Sequence, residues 1–471
     1  RVIVWADQKT TVYGQFDVTP GIDSGAGGFV EVSSGGSLTF NGNVRAGLDN
    51  RTGTLLLDPK NITIGSGSGD LIDSAVFGTN PSGDSTITPT TITTVLSAGT
   101  NVVLQANNDI TVSDAITTNN ASGDGGNLTL QAGRSVLVNA NITTDNGDLT
   151  LTANDLTSNG VVNAQRDDGL AVITLGSGTT INTGTGTFTS TIEAGTGKTY
   201  SGSGDITLST ITANSLVAAN RGPTSGSDIL DTGILTIAGT SSFTTTRSNA
   251  DITLDSANAF TGAVTLNTTG TQGDATVDNV TTALDIAASS VGGDLTLTSG
   301  TGITDSGTVT VGENLSATTD ASSGAILLDT LAVSGTIALN TDGSGAATVV
   351  NASGLKLAAS TVGGALSATA TAGNITDSGA LIIAGTSTFV TGADGSDIEL
   401  DHASNAFSDS VTLKAGSLGN RTFDDITFVD SGAVTFQTSV DTDADGELLI
   451  DGSTDGAVGG DLSVRSINGN I

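Results

Sequence analysis

The residues with the most chemistry in the shortest space are acids. Asp441-Thr442-Asp443-Ala444-Asp445-Gly446 sets three carboxylates at alternate positions before a glycine. Hard cations such as Ca²⁺ are gathered by oxygen ligands spaced in this way, and the glycine allows the chain to turn sharply. Asp441, Asp443 and Asp445 are therefore the candidate metal ligands, and calcium is the one cofactor the sequence suggests. A complete EF-hand calcium loop ends on Glu, but Gly452 stands at that place, with Asp451 one position early. The competing reading is a solvated acidic turn. Gly65-Ser66-Gly67-Ser68-Gly69-Asp70 has the outline of a calcium β-roll, with Ser at two places where that motif has Gly.

Nucleophilic or acid–base chemistry finds little to work with. His402 is the only histidine. A His-based triad needs partners at defined distances, and most zinc sites need more than one His or Cys. Asp401 and Ser404 are neighbours of His402 in sequence only, and a surface turn is the plainer reading. No catalytic residue is assigned. A carbohydrate-active β-helix enzyme is the alternative class, but its subsites would call on basic and aromatic side chains. The chain has 14 Lys and Arg together, and 3% aromatic residues. Thr-x-Thr pairs such as Thr150-Leu151-Thr152 invite an ice-binding face, but their positions drift, and strand propensity explains them. Asn61, Asn127, Asn141, Asn314, Asn374 and Asn420 open Asn-x-Ser/Thr sequons, with glycosylation and Asn ladders at turns as the two readings.

The elements that would position such groups follow from composition and pattern. The chain has 471 residues with 65 Gly, 5 Pro, no Cys, no Met and one Trp. A core must come from Ala, Val, Ile and Leu. Thr and Val favour strands, while Gly, Asn and Asp favour turns. Apolar residues alternate with polar ones in short runs, which separates the chain from disordered Ser/Gly-rich sequences. The formal net charge of −34 opposes binding to nucleic acid and anionic membranes, both of which demand Lys and Arg. No apolar run is long enough for a membrane-spanning helix, so no membrane insertion is expected.

One strand pattern recurs: Asp or Asn, an aliphatic residue, a middle residue, then Leu. Asn127-Leu128-Thr129-Leu130, Asp148-Leu149-Thr150-Leu151, Asp205-Ile206-Thr207-Leu208, Asp251-Ile252-Thr253-Leu254, Asp294-Leu295-Thr296-Leu297 and Asp397-Ile398-Glu399-Leu400 are copies. Period-two alternation puts both aliphatic residues on one face. A larger repeat lies over it. Ile229-Leu230-Asp231-Thr232-Gly233 recurs as Ile303-Thr304-Asp305-Ser306-Gly307 and Ile375-Thr376-Asp377-Ser378-Gly379, at intervals of about 72 residues. Val291-Gly292-Gly293 recurs at Val362-Gly363-Gly364 and, after a longer interval of about 96 residues, at Val458-Gly459-Gly460. A common unit of about 24 residues accounts for these spacings as three coils, once four, of a solenoid. The expected fold class is all-β, a parallel β-helix or β-solenoid with coils of about 20–25 residues. Phe243, Phe260, Phe389 and Phe407 are expected to fill wider corners or cap a face. Residues 1–66, 67–220 and 221–471 form three stretches: a distinct opening segment, irregular coils, and coils with the larger repeat.

The opening stretch carries Val4-Trp5-Ala6-Asp7, Gly27-Gly28-Phe29-Val30-Glu31-Val32-Ser33 and Gly53-Thr54-Leu55-Leu56-Leu57-Asp58-Pro59-Lys60-Asn61-Ile62-Thr63-Ile64. This series resembles the filamentous haemagglutinin-type exoproteins of Gram-negative bacteria and cyanobacteria, which leave the cell by two-partner secretion. The resemblance is specific over residues 1–66 and continues more loosely to residue 471. It implies a right-handed parallel β-helix, export through an outer-membrane secretion partner, and display on the cell surface or in the extracellular matrix. Members of that family serve as adhesins, aggregation factors, cytolysins or toxin-delivery stalks. Their Asn-Pro-type secretion motifs are not among these residues, and Asn80-Pro81-Ser82 does not replace them.

The expectation is a secreted structural and adhesive fibre segment, not an enzyme, that contacts host, neighbouring-cell or biofilm-matrix surfaces. A passive stalk for a distal toxin or binding tip is the alternative. Both ends of the sequence read as cut within the repeat, so further coils, or copies of the chain stacked end to end, are the expected neighbours.

Overall fold

The computed structural model describes residues 1–6, 9–19, 27–34, 37–40, 42–46, 53–58, 60–66, 84–195, 203–223, 226–320, 323–416, 425–433, 436–441 and 462–467. Two compact units divide the chain, Arg1–Ser256 and Ala257–Ile471. Each is a parallel β-solenoid. Every strand pairing described is parallel, and each joins a strand to its counterpart in a neighbouring coil, as Val102–Leu104 joins Leu128–Leu130.

In the first unit, a typical coil carries three strands. Leu128–Ala132, Val136–Val138 and Ile142–Thr143 make one such coil. Alternation turns Leu128, Leu130, Val136, Val138 and Ile142 inward, all fully buried. The repetition stacks like on like. Val30, Leu55, Val102, Leu128, Leu149, Phe188 and Leu216 form one ladder through successive pairings. Ile62, Ile110, Val136 and Ile173 form a second. Ile116, Ile142, Ile181, Ile211 and Leu235 form the third. Burying each such side chain is worth about 1.5–3 kcal/mol. The narrow interior explains why aliphatic residues predominate.

Two insertions interrupt this winding. Asp84–Ile87 pairs with Asn61–Ile64, whose other edge pairs with Ile110–Val112. A helix follows, Pro89–Leu96. Its sequence, rich in β-branched Thr, Ile and Val, reads as strand. Three local features override that propensity: the Thr88 side chain accepts from the Thr91 N–H, Pro89 opens the first turn, and Ile92, Val95 and Leu96 bury one face. Further on, residues 156–168 leave the stack and return through two short 3₁₀ turns, Thr157–Asn159 and Asn163–Gln165.

The second unit winds differently. Its strands alternate between two sheets, and many of its coils are short. Leu295 pairs with Leu315 and Leu284 with Ile303, both shorter strides along the chain than that from Ser387 to Val411. Some strands are straight and others split into two short pieces around a corner. The two forms exchange places as the stack rises. Val264–Thr269 is overlaid by both Leu284–Ile286 and Ser289–Val291. Thr336–Thr341 is overlaid in the same way by Leu355–Leu357 and Ser360–Val362. These exchanges are one large repeat apart, yet the first lies in one sheet and the second in the other. Between them the chain changes sheet seven times, hence three and a half coils. The larger repeat is therefore not three equal coils, as its spacing alone suggests, but about three and a half shorter ones.

The four phenylalanines of the repeats sit inside. Phe243, Phe260 and Phe389 are fully buried, and Phe407 nearly so. Phe407 meets Phe389 edge-on at 6.0 Å and Phe428 at 5.0 Å, so these rings form a packed stack across coils.

Candidate functional site

The polar groups that recur most regularly lie at the corners, where the backbone leaves one strand and enters the next. In most copies of the short strand motif, the opening Asp or Asn accepts a hydrogen bond from a backbone N–H one coil further on. Asp205 Oδ1 accepts from Asp228 N at 3.1 Å, and Asp228 Oδ1 from Asp251 N at 2.9 Å. Asp274 accepts from Asp294 N, Asp294 from Asn314 N, and Asn314 from Thr336 N, at 2.8–2.9 Å. A corner amide has no strand partner, and a side-chain oxygen supplies the missing acceptor.

Asp305 and Asp377, the centres of the longer motif, are two-handed versions. Asp305 takes Asp329 N on Oδ1 at 2.9 Å, with Thr330 N and Oγ1 on Oδ2 at 2.8 Å. Asp377 takes Asp401 N on Oδ1, and His402 N and Asn405 Nδ2 on Oδ2.

This arrangement places the sequence candidates. His402 is held by its backbone N–H on Asp377, and its Nδ1 accepts from Ser404 N at 3.3 Å. The ring belongs to a corner turn; the hydroxyl of Ser404 has no bond to it among those described. Asp441 ends the strand Phe436–Asp441, with its backbone paired to Lys414. Asp443 and Asp445 lie outside the described residues, as do residues 67–70 of the Gly65–Asp70 motif. Among the described residues, no group of three or more His, Cys, Asp or Glu is disposed to hold a metal.

Five sequon asparagines are corner residues. Asn127, Asn314 and Asn374 each donate Nδ2 to a neighbouring Asp, at 3.0–3.2 Å. Asn61 and Asn141 accept from Asp109 N and Thr180 N. Asn420 lies outside the described residues.

A second set of polar groups lies inside and was not read from the sequence. Asn279 is fully buried; its Oδ1 accepts from Phe260 N and its Nδ2 donates to Phe260 O and Thr282 O. Asn351, its counterpart in the next large repeat, does the same for Val333 N and O and for Gly354 O. Buried threonines close the loops between sheets. Thr245, Thr319, Thr341 and Thr391 donate to Ala250 O, Gly324 O, Gly345 O and Ser396 O, at 2.7–3.0 Å. The signal that could have found them was an inward-phase Asn or Thr at the repeat spacing.

Charged side chains gather around one excursion of the first unit. The excursion at 156–168 is tied to three coils. Lys60 Nζ meets Asp167 Oδ1 at 3.0 Å, Asn108 Nδ2 donates to Asp167 Oδ2, and Arg134 Nη1 donates to Asp168 O. Arg134 also pairs with Asp109, which raises its pKa further above the ordinary value. Arg166 is buried beneath the excursion and donates to Asn154 Oδ1 and Asp155 O. Desolvation lowers its pKa to about 10, so it stays charged at neutral pH. Burial raises the Asp205 pKa, and the Asp228 carboxylate adds to the effect. The Asp114 carboxyl is held below its usual value by Ser66.

Taken together, the acids near one another spend their lone pairs on backbone amides, which is scaffold chemistry. A family described as repeats of unknown function (DUF5649) matches residues 194–267, 272–340 and 344–414. No curated protein matches the chain. The first two matches end at Asn267 and Asn340, equivalent positions in the two overlaid strands Val264–Thr269 and Thr336–Thr341. The chain is a repeat protein, and its sequence repeat spans the interval from one strand exchange to the next.

Proposed function

We propose that the chain is a structural and adhesive fibre segment of the filamentous haemagglutinin type, without catalytic activity of its own. It is exported through an outer-membrane partner and mediates cell-surface or biofilm-matrix contacts. The observation that carries this reading is the repetition of one corner chemistry coil after coil. Interior side chains form the core, and corner carboxylates and amides hold the backbone. What remains for a partner is a repeated outer surface, on which weak contacts add through avidity. The net charge of −34 keeps such a surface soluble and discourages lateral clumping.

Beads coated with the chain test the reading. Attachment to cells of the producing organism, or to their matrix, above that of albumin-coated beads is expected, and it should grow steeply with coating density. Attachment no better than albumin at every density would reject adhesion and leave the passive stalk, whose only task is to hold another domain at a distance.

A further inference from the structure

Near the start of the first unit, a groove of about 360 Å³ opens between two turns and the inserted helix. Its walls include Tyr13, Gln15, Asn43, Thr88, Thr91 and Thr94. This volume lies near the lower end of small-molecule sites, about 300–1,000 Å³, and would hold a mono- or disaccharide.

The lining is unusual for this chain. Among the described residues, no Asp, Glu, Lys or Arg contributes to it, although the molecule as a whole carries a net charge of −34. Tyr13 is 63% exposed, in a chain with only 3% aromatic residues that otherwise buries most of its described rings. An exposed aromatic ring that is not part of a core offers a flat face to a ligand. The Asn43 Oδ1 is shut off from solvent with no hydrogen-bond partner among the described residues, so turning this amide toward a ligand breaks no bond at that oxygen.

The helix hydroxyls are pre-positioned. Thr88 Oγ1 and Thr91 Oγ1 are 3.0 Å apart, and Thr94 Oγ1 donates to Thr90 O at 2.7 Å. With these contacts made locally, the oxygens retain lone pairs for an incoming donor. The floor is kept close by Gly42, where a Cβ would stand 2.7 Å from Gly14 O, while a Cβ at Gly14 would meet nothing within 4 Å.

We propose that this groove binds a neutral saccharide. The C–H face of a sugar ring stacks on Tyr13. The amides of Gln15 and Asn43 pair with adjacent hydroxyls, and the threonine oxygens accept from others. A sulfated or carboxylated sugar finds no Lys or Arg among the described lining residues, and an apolar ligand would strand the amides and hydroxyls. The site rests on its own geometry and holds whether or not the chain acts as an adhesive.

Saturation-transfer NMR on the full chain, with maltotetraose, cellotetraose, mannotriose and chitotriose as neutral probes and a heparin-derived disaccharide as the charged one, tests it. At least one neutral sugar should bind, with Kd on the order of a millimolar. Tyr13→Ala should weaken binding about tenfold or more, Tyr13→Trp should restore it, and Thr94→Val should weaken it by a smaller factor. Circular dichroism melting should be unchanged by Tyr13→Ala, because the ring is exposed. Transfer to none of the four neutral sugars, to the charged sugar alone, or to a sugar whose binding ignores Tyr13→Ala would each overturn the proposal.

Discussion

At the level of single residues, the structure distinguishes two kinds of polar side chain that look alike in sequence. Asn314 and Asn351 are both asparagines in a Thr-rich and Gly-rich context. Asn314 sits at an exposed corner and accepts from Thr336 N. Asn351 is buried and serves both the N–H and the C=O of Val333. Removing the buried one leaves backbone groups without partners in an apolar interior. Asn351→Ala should therefore cost about 1–3 kcal/mol, and Asn314→Ala about 1 kcal/mol or less. Amide hydrogen exchange at Val333 should accelerate in the first variant and not in the second.

The Asp205 carboxyl carries a pH signature of its own. Its folded pKa is raised by burial and by Asp228. The protonated form is thus favoured in the fold, and that contribution is present in acid and lost as pH rises through the folded value. Asp205→Asn keeps an oxygen to accept from Asp228 N and removes the titration. Its melting temperature should exceed that of the parent at pH 7, and the gap should narrow at pH 4. A gap that widens in acid would contradict the assigned direction.

At the level of elements, strands were legible and departures from them were not. The motif Asp-Leu-Thr-Leu states an alternation, and the structure keeps both leucines inside, as at Leu149 and Leu151. The helix Pro89–Leu96 escaped because Thr, Ile and Val argue for a strand one residue at a time. The determining signals were positional: a Thr cap, a proline in the first turn, and an i, i+3, i+4 apolar set. Thr88→Ala should lower the stability of this helix by about 1 kcal/mol, read as faster hydrogen exchange at Val95 and Leu96. The groove on Tyr13 escaped with the helix, since its threonines belong to that element.

The excursion at 156–168 shows the same limit. Its ties to Lys60, Asn108 and Arg134 reach far along the sequence, and no local pattern encodes them. Asp167→Ala removes the carboxylate partner of Lys60 and one of the two acceptors of the Asn108 Nδ2. Proteolysis within 156–168 should become faster, while the exchange of core amides such as Leu128 stays unchanged.

At the level of the whole chain, the coil and its length of about 20–25 residues were legible from spacing, and the number of coils in the larger repeat was not. Asp231, Asp305 and Asp377 mark true equivalents, but spacing alone does not say how many coils lie between them. One unit divided both repeat intervals evenly, and that arithmetic hid the half coil. Equivalent strands of successive repeats, such as Ala275–Asn279 and Ala347–Asn351, belong to different sheets. A deletion test separates the two counts. Removing Thr268–Asn340 joins Asn267 to Thr341, which is buried as Thr268 is. Equivalent positions meet, and a protease-resistant β-solenoid should remain. Removing Thr268–Leu315 instead takes out two coils by the simpler count. It puts the half-buried Ser316 where the buried Thr268 stood. The following residues then point to the wrong face, and the chain should be cleaved throughout.

The half coil has a consequence for what a partner meets. In the second unit, a group that recurs once per repeat emerges on one flank, then on the other, and alternates from there. A strictly integral repeat would instead line every copy along a single seam, as if along the spine of a book. Winding by halves makes the material two-sided: neighbours approaching from opposite directions encounter the same chemistry, at twice the interval along either flank.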